Sequence, residues 1–191
     1  MSNEPEPRRG IHPWIIVLIV TVTAIAFAVG ALFVVPELQA RRKSLNQRNA
    51  AACLRVLAEA EADFWMNDGD GNRVRDYWTA DIRQLHSIPD LDKADASPGD
   101  GAPLVPYQGY LFAAIPLDEN GAPYDQGNGR NPAKFAFCAY PADESSGNAV
   151  FIVNERKEVW RATSPVNGPV PRWPAKLARD WVKLDLQVLP K

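Results

Sequence analysis

The sequence predicts an α+β protein in which an N-terminal transmembrane helix continues into an amphipathic helix packed on a small antiparallel sheet. Three observations support this fold class. Residues 14–35 carry no charged side chain, residues 36–66 have the apolar spacing of one helix face, and later residues form short apolar runs between loops. Most of the 17 prolines and 12 glycines follow residue 88, and these residue types interrupt long helices.

Length and charge limit the class further. The 191 residues leave roughly 150 for a globular part, which suits one domain. The formal net charge is −2, and no basic stripe follows the cluster beside the span, which argues against binding to nucleic acid.

The predicted segments are a disordered cytoplasmic tail at 1–13, a transmembrane helix at 14–35, an extracytoplasmic helix at 36–66, an α+β head at 67–163, and a proline-rich segment with a short C-terminal helix at 164–191.

Residues 14–35 predict a transmembrane helix. The segment has 22 residues, enough to cross a hydrocarbon core of roughly 30 Å, and a segment in lipid must be helical. A secretory signal is the alternative, since Leu38-Gln39-Ala40 resembles a cleavage site. We favour an anchor because the helical pattern continues beyond this site. Large C-terminal domains translocate with little regard to flanking charge, so we expect the N-terminus inside and the head outside.

Residues 36–66 predict an amphipathic helix that ends at a polar turn. Apolar residues recur at the spacing of one helix face, namely at Cys53, Val56, Leu57, Ala60 and Phe64. The run at 67–72 reads Asn-Asp-Gly-Asp-Gly-Asn, and all these residue types tolerate a left-handed backbone. We therefore expect the helix to end there.

Three oxygen-bearing side chains alternate in this turn, at Asp68, Asp70 and Asn72. Calcium prefers several oxygen ligands from a tight loop, so these residues form the candidate metal site of the sequence. The EF-hand pattern is not met, because Arg73 and Thr79 stand where that loop needs glycine and glutamate. We favour a plain turn and keep Ca²⁺ binding as the alternative.

Four apolar runs predict an antiparallel meander with one side facing the helix. They cover residues 107–115, 134–140, 149–153 and 158–162. Alternation in the second run places Phe135, Phe137 and Ala139 on one side of a strand and Ala136, Cys138 and Tyr140 on the other. Residues 154–157, between the last two runs, predict a hairpin turn.

Two further segments predict short helices. The apolar pattern from Tyr77 to Ile88 predicts one that packs against the long helix. Residues Leu177, Trp181 and Leu184 fall on one helical face and predict the other, between residues 175 and 186. His86 has no cysteine or second histidine at ligand spacing, so we interpret it as a residue that binds no metal.

The reactive residue types form no convincing catalytic set. An enzyme needs a nucleophile beside a base, paired carboxylates in a cleft, or a metal cluster. Cys53 lies on the packing face of the helix, where a reactive thiolate is disfavoured. In an oxidising compartment Cys53 and Cys138 form a candidate disulfide between helix and sheet, and the alternative is two buried free thiols. We predict a non-enzymatic protein without a resident cofactor.

The apolar helix is followed by Pro36 and then by a run from Arg42-Lys43-Ser44 to Asn49-Ala50-Ala51-Ala52-Cys53-Leu54-Arg55. This arrangement resembles the N-terminal helix of type IV pilins and type II secretion pseudopilins, which leads from a span into a globular head. A prepilin processing site has a glutamate shortly after its glycine. Here Gly10 is followed by Ile11, His12, Pro13, Trp14 and Ile15. We therefore expect a permanent anchor rather than a fibre-forming stem.

Several short motifs follow one another between residues 60 and 162. They are Asp68-Gly69-Asp70-Gly71-Asn72 with Asp76-Tyr77, then Gly109-Tyr110-Leu111-Phe112, the strand at 135–141 and the hairpin at 146–154. Their order is similar to a bacterial family of unknown function with a D-G-D/N-G turn, a G-Y-Y-F strand, an F-A-x-x-A-x-P strand and an S-G-x-x-x-F-x-V-N hairpin. This resemblance implies an envelope protein with a pilin-like fold.

Together these features predict a single-pass protein of the bacterial inner membrane with a pilin-like extracytoplasmic head and a structural or assembly role. The expected partners are membrane lipid and either further copies of the chain or a pilin- or secretion-type assembly. The alternative function is a membrane-tethered ligand-binding module that uses Ca²⁺ at the turn of residues 68–72.

Overall fold

The computed structural model describes residues 13–85, 88–97, 103–162, 168–177 and 180–185. One long helix, α1, spans Pro13–Asn67. Two 3-10 helices lie at Arg83–Leu85 and Leu91–Ala94. The strands in these ranges are β1 at Tyr77–Trp78, β2 at Tyr110–Ala114, β3 at Arg130–Asn131, β4 at Ala136–Pro141, β5 at Val150–Asn154, β6 at Trp160–Ala162 and β7 at Val182–Lys183. The α+β fold class is confirmed.

The chain divides into two compact units, residues 1–41 and 42–191. The first contains the apolar part of α1, whose described side chains are mostly exposed. The helix continues through Pro36. Thr21 and Thr23 donate their hydroxyls to the carbonyls four residues earlier, at 2.9 and 2.8 Å, so these polar side chains are satisfied within the helix. Residues 1–12, which make up all but one residue of the predicted cytoplasmic tail, lie outside the described residues.

Helix α1 ends where the sequence predicts. Asp68 follows its last residue with a φ of 51°, a left-handed conformation that stops a helix. The N–H of Gly69 donates to the Phe64 carbonyl at 3.0 Å. A Cβ on Gly69 would lie 2.6 Å from the Phe64 ring, so the close approach of the turn to this ring requires glycine.

The main sheet of the second unit is antiparallel, with the strand order β2-β4-β5-β6-β7. The four apolar runs of the sequence coincide, to within one residue at their C-terminal ends, with β2, β4, β5 and β6, which confirms the meander. The N–H of Lys157 donates to the Asn154 carbonyl at 2.8 Å, and Lys157 has a φ of 60°, which confirms the hairpin turn. Strands β1 and β3 form a separate two-stranded sheet.

Each face of the main sheet packs into its own apolar cluster. One face of the sheet packs against Ala50, Ala51, Cys53, Leu54, Leu57 and Ala58 of α1, of which Leu54 and Leu57 are fully buried. Phe135, Phe137 and Ala139 belong to this cluster. Ala136, Cys138 and Tyr140 belong to the second cluster, which Val170 and Trp173 cover from the chain after β6. The alternation expected along β4 is confirmed.

The short helix predicted from Tyr77 to Ile88 is wrong for most of its length. Tyr77 and Trp78 form β1, and only Arg83–Leu85 is a 3-10 turn. The Ile82 N–H, which a helix from Tyr77 would bond to one of its own carbonyls, donates instead to the Asp95 carboxylate at 3.1 Å. The Trp78 N–H donates to the Glu61 carboxylate at 3.0 Å. His86 lies outside the described residues.

The helix predicted between residues 175 and 186 is also wrong where the structure describes it. Val182–Lys183 form β7, which pairs with β6 through Trp160 and Arg161. The N–H of Leu184 donates to the Val159 carbonyl at 2.9 Å. Strand β6 would otherwise be the sheet edge, and its unpaired backbone groups favour strand pairing over an isolated helical turn.

Candidate functional site

Two features of the described structure bear on function: the apolar surface of the first unit and a partly buried polar cluster in the second. In the first unit, an 18-residue window of α1 has a mean hydropathy of 2.8. The large side chains of Phe27, Leu32 and Phe33 are at least 72% exposed. By length and composition, this helix is able to cross a membrane or to serve as a signal sequence.

A partly buried polar cluster lies where α1 ends, and we call its members, Glu61, Asp70, Asp76, Trp78 and Arg130, the Glu61 cluster. Glu61 is fully buried, and its Oε2 accepts the Trp78 N–H. Arg130 pairs with Asp70, and its Nη1 lies 3.9 Å from the Asp76 carboxylate. The Arg130 guanidinium also lies 5.5 Å from the centre of the Trp78 ring. The cluster thus joins α1, the turn after it, β1 and β3.

The electrostatics of the cluster favour an uncharged Glu61. Burial raises the pKa of Glu61 well above its usual range, the Trp78 N–H opposes this rise, and the charge of Asp76 adds to it. The second carboxylate oxygen, Oε1, is buried without a hydrogen-bond partner. A charged carboxylate with one unsatisfied oxygen is costly in such a place, so Glu61 holds a proton more readily than an exposed glutamate does.

The residues of the candidate calcium site lie in the turn after α1, and their side chains accept hydrogen bonds from nearby backbone. Asp68 Oδ2 accepts the Arg73 N–H at 2.8 Å. Asn72 Oδ1 accepts the Val74 N–H at 2.6 Å, and Asp70 Oδ1 accepts the Asn72 N–H at 3.1 Å.

In the part of the chain that the structure describes, no three His, Cys, Asp or Glu side chains are grouped to hold a metal. Asp70 also pairs with Arg130, so one candidate ligand already has a cationic partner. Calcium binding at Asp68, Asp70 and Asn72 stays a prediction.

The candidate disulfide between Cys53 and Cys138 is not formed, because the two thiols lie on opposite faces of the main sheet. Both are free and buried. Cys53 belongs to the cluster on the α1 side, and Cys138 to the cluster on the other side. Burial raises the pKa of Cys53 to about 11 and that of Cys138 to about 12. Thiols with such pKa values are poor nucleophiles at neutral pH.

Reasoning from the sequence missed four members of the Glu61 cluster, namely Glu61, Asp76, Trp78 and Arg130. Glu61 lies seven residues after Leu54 and four after Leu57, so a charged residue on the apolar face of the helix was the available signal. Asp76 and Arg130 gave no such signal, because 54 residues separate them and only the pairing of β1 with β3 brings their segments together.

No protein-family model matches the sequence, and a search of curated proteins finds no significant match. The resemblances to the pilin helix and to the bacterial family of unknown function therefore stay predictions.

Proposed function

We propose that the chain is a non-enzymatic, single-pass membrane protein of the bacterial envelope, with a pilin-like head in a structural or assembly role. The observation that carries the proposal is the uncharged surface of residues 14–35. A helix of this length extends about 33 Å at 1.5 Å per residue, which matches a hydrocarbon core of roughly 30 Å. We place the span in the inner membrane and the head outside it.

The polar groups of this segment support the anchor. A helix satisfies its own backbone groups, which lipid requires, and the hydroxyls of Thr21 and Thr23 are bonded to helix carbonyls. The first charged side chains after the segment are Glu37 and Arg41, which pair at 2.9 Å. Between residues 15 and 35, no other side chain carries a polar group that needs a partner outside the helix.

The second unit supports the pilin-like part of the proposal. Residues of α1 from Ala50 onward pack on an antiparallel meander, the arrangement that the pilin resemblance implies. The sequence after Gly10 lacks the glutamate of a prepilin site, which favours a permanent anchor. The raised pKa values of the buried thiols and the enclosure of Glu61 support a role without catalysis.

Alkaline extraction of bacterial membranes tests the anchor. The full chain should stay in the membrane pellet, whereas Val22→Arg with Ile25→Arg should release it. Each arginine near the centre of a span costs about 3 kcal/mol on insertion scales. A matched control places arginine at Val74 and Val105, which are 53% and 54% exposed in the second unit, and should leave the chain in the pellet. Release of the unmodified chain by alkali contradicts the anchor.

Crosslinking in intact membranes tests the assembly role. An assembling protein should give adducts of defined mass, either with itself or with one partner. Lysine-reactive and photoreactive reagents should give the same adduct, because a specific interface does not depend on the crosslinking chemistry. If neither reagent gives an adduct in native membranes, the assembly role is wrong, whatever the result of the extraction.

A further inference from the structure

A cavity of about 280 Å³ lies in the second unit, between α1 and the side of the sheet formed by β5 and β6. Ser44, Gln47 and Arg48 line it from the helix, and Phe151 and Arg161 line it from the strands. Pockets for small molecules have volumes of roughly 300–1,000 Å³. This cavity therefore suits a small chemical group and not a large ligand.

Two arginines dominate the charge of the cavity. Arg161 pairs with Phe151 across β5 and β6, which places it on the sheet face that α1 covers. Its Nε is buried and has no hydrogen-bond partner. Among the described residues, neither Arg48 nor Arg161 forms an ion pair. By contrast, Arg55 on the same helix pairs with Glu59 at 3.4 Å.

The other polar groups of the cavity leave this positive charge in excess. Asp185 also lines the cavity, and this residue already has an interaction partner. Two arginines and one aspartate give the lining a net formal charge of +1. Gln47 donates to the Asn148 side chain at 2.6 Å, so the Ser44 hydroxyl is the neutral donor that remains available from the helix.

We propose that this cavity binds a phosphate group through Arg48 and Arg161, with the Ser44 hydroxyl as a further donor. A guanidinium presents paired N–H donors that match phosphate oxygens. Phe151 and other apolar residues form part of the wall, and a less polar surrounding strengthens attraction between opposite charges. The phosphate is either a phospholipid headgroup or a soluble phosphate. Only the headgroup source rests on the proposed membrane anchor.

Isothermal titration calorimetry on the full chain, in neutral detergent free of phosphate, tests the proposal. One arm titrates inorganic phosphate, and the other titrates dihexanoylphosphatidylglycerol as a soluble headgroup probe. Chloride at matched ionic strength is the reference. We expect saturable binding in at least one arm. Arg48→Gln and Arg161→Gln should each lower the affinity at least about tenfold, since each removes a charge-assisted hydrogen bond.

The matched control is Arg55→Gln, which removes an arginine of the same helix outside the cavity and should leave the affinity unchanged. Arg161→Lys keeps the charge without the paired donors and should bind more weakly than the unmodified chain. If Arg161→Gln does not fold, Arg161→Lys is the folded variant that tests this position. Binding of phosphate alone assigns a soluble ligand, and binding of the lipid alone assigns a headgroup. The proposal is overturned if neither probe binds saturably, if chloride gives the same heat, or if Arg55→Gln weakens binding as much as Arg48→Gln.

Discussion

Replacement of Glu61 by glutamine tests the electrostatics of the Glu61 cluster. Glutamine has nearly the same shape, and its oxygen is able to accept the Trp78 N–H that Glu61 accepts at 3.0 Å. The substitution therefore removes the titration of the side chain while it keeps the contact between α1 and β1. Any difference in pH dependence between the two proteins then comes from the carboxyl group of Glu61.

The sign of the effect follows from the raised pKa of Glu61. The folded state binds the proton more tightly than the unfolded state, whose glutamate pKa is about 4.3. The stabilisation by this proton is complete below the unfolded-state pKa and is lost as pH rises through the folded-state pKa. Between these two values, the free energy of unfolding should fall by up to about 1.4 kcal/mol per pH unit. Glu61→Gln should lack this contribution.

Urea unfolding of the full chain in neutral detergent, followed by tryptophan fluorescence, measures the effect between about pH 4 and pH 8. The difference in unfolding free energy between Glu61→Gln and the unmodified chain should grow in favour of glutamine as pH rises. The control is Glu59→Gln, because Glu59 is exposed on the same helix and should change stability by less than about 0.5 kcal/mol. Parallel pH curves for Glu61→Gln and the unmodified chain would refute the reasoning.

The remaining predictions use the same urea assay. Leu54→Ala should lower the free energy of unfolding by about 2–5 kcal/mol because Leu54 is fully buried. Leu45→Ala, at a position 57% exposed, should lower it by less than about 0.5 kcal/mol. Equal losses would contradict the packing of α1. Gly109→Ala should lower the free energy of unfolding more than Gly71→Ala does, because both glycines have a positive φ but only at Gly109 would a Cβ meet another side chain, at 2.7 Å. The backbone strain alone is worth about 1 kcal/mol at each position. A larger loss at Gly71 would contradict the close approach at Gly109. Arg130→Met should cost about 3 kcal/mol by leaving two partly buried carboxylates without their cation, and a neutral result contradicts the ion pairs.

The sequence predicts the local parts of this fold well. The meander follows from alternation with a period of two, as in β4, and from turn residues such as Asn154. The end of α1 follows from the run of Asn, Asp and Gly after it. Strand β1 escapes prediction because its pairing with β3 joins residues more than 50 positions apart. Strand β7 escapes because Trp181 and Leu184 suit a helix or a strand equally in so short a segment.

The candidate sites depend more strongly on tertiary structure. Asp70 belongs to the turn that the sequence offers as an alternative calcium site, and the pairing of β1 with β3 brings Arg130 to it. The candidate disulfide conflicts with alternation along β4, since Cys138 lies next to Phe137, which faces α1. The burial of Glu61 follows from its spacing after Leu57, but its partner Trp78 does not, because a backbone N–H leaves no trace in the sequence.

We propose residues 14–35 as the segment that anchors the chain in a membrane. Intact mass spectrometry of the native protein, recovered separately from alkali-washed membranes and from the soluble fraction, tests it most directly. We expect a membrane-bound protein whose mass includes residues 14–35. A soluble protein cleaved after Ala40 would contradict the anchor and would assign the apolar helix to a secretory signal.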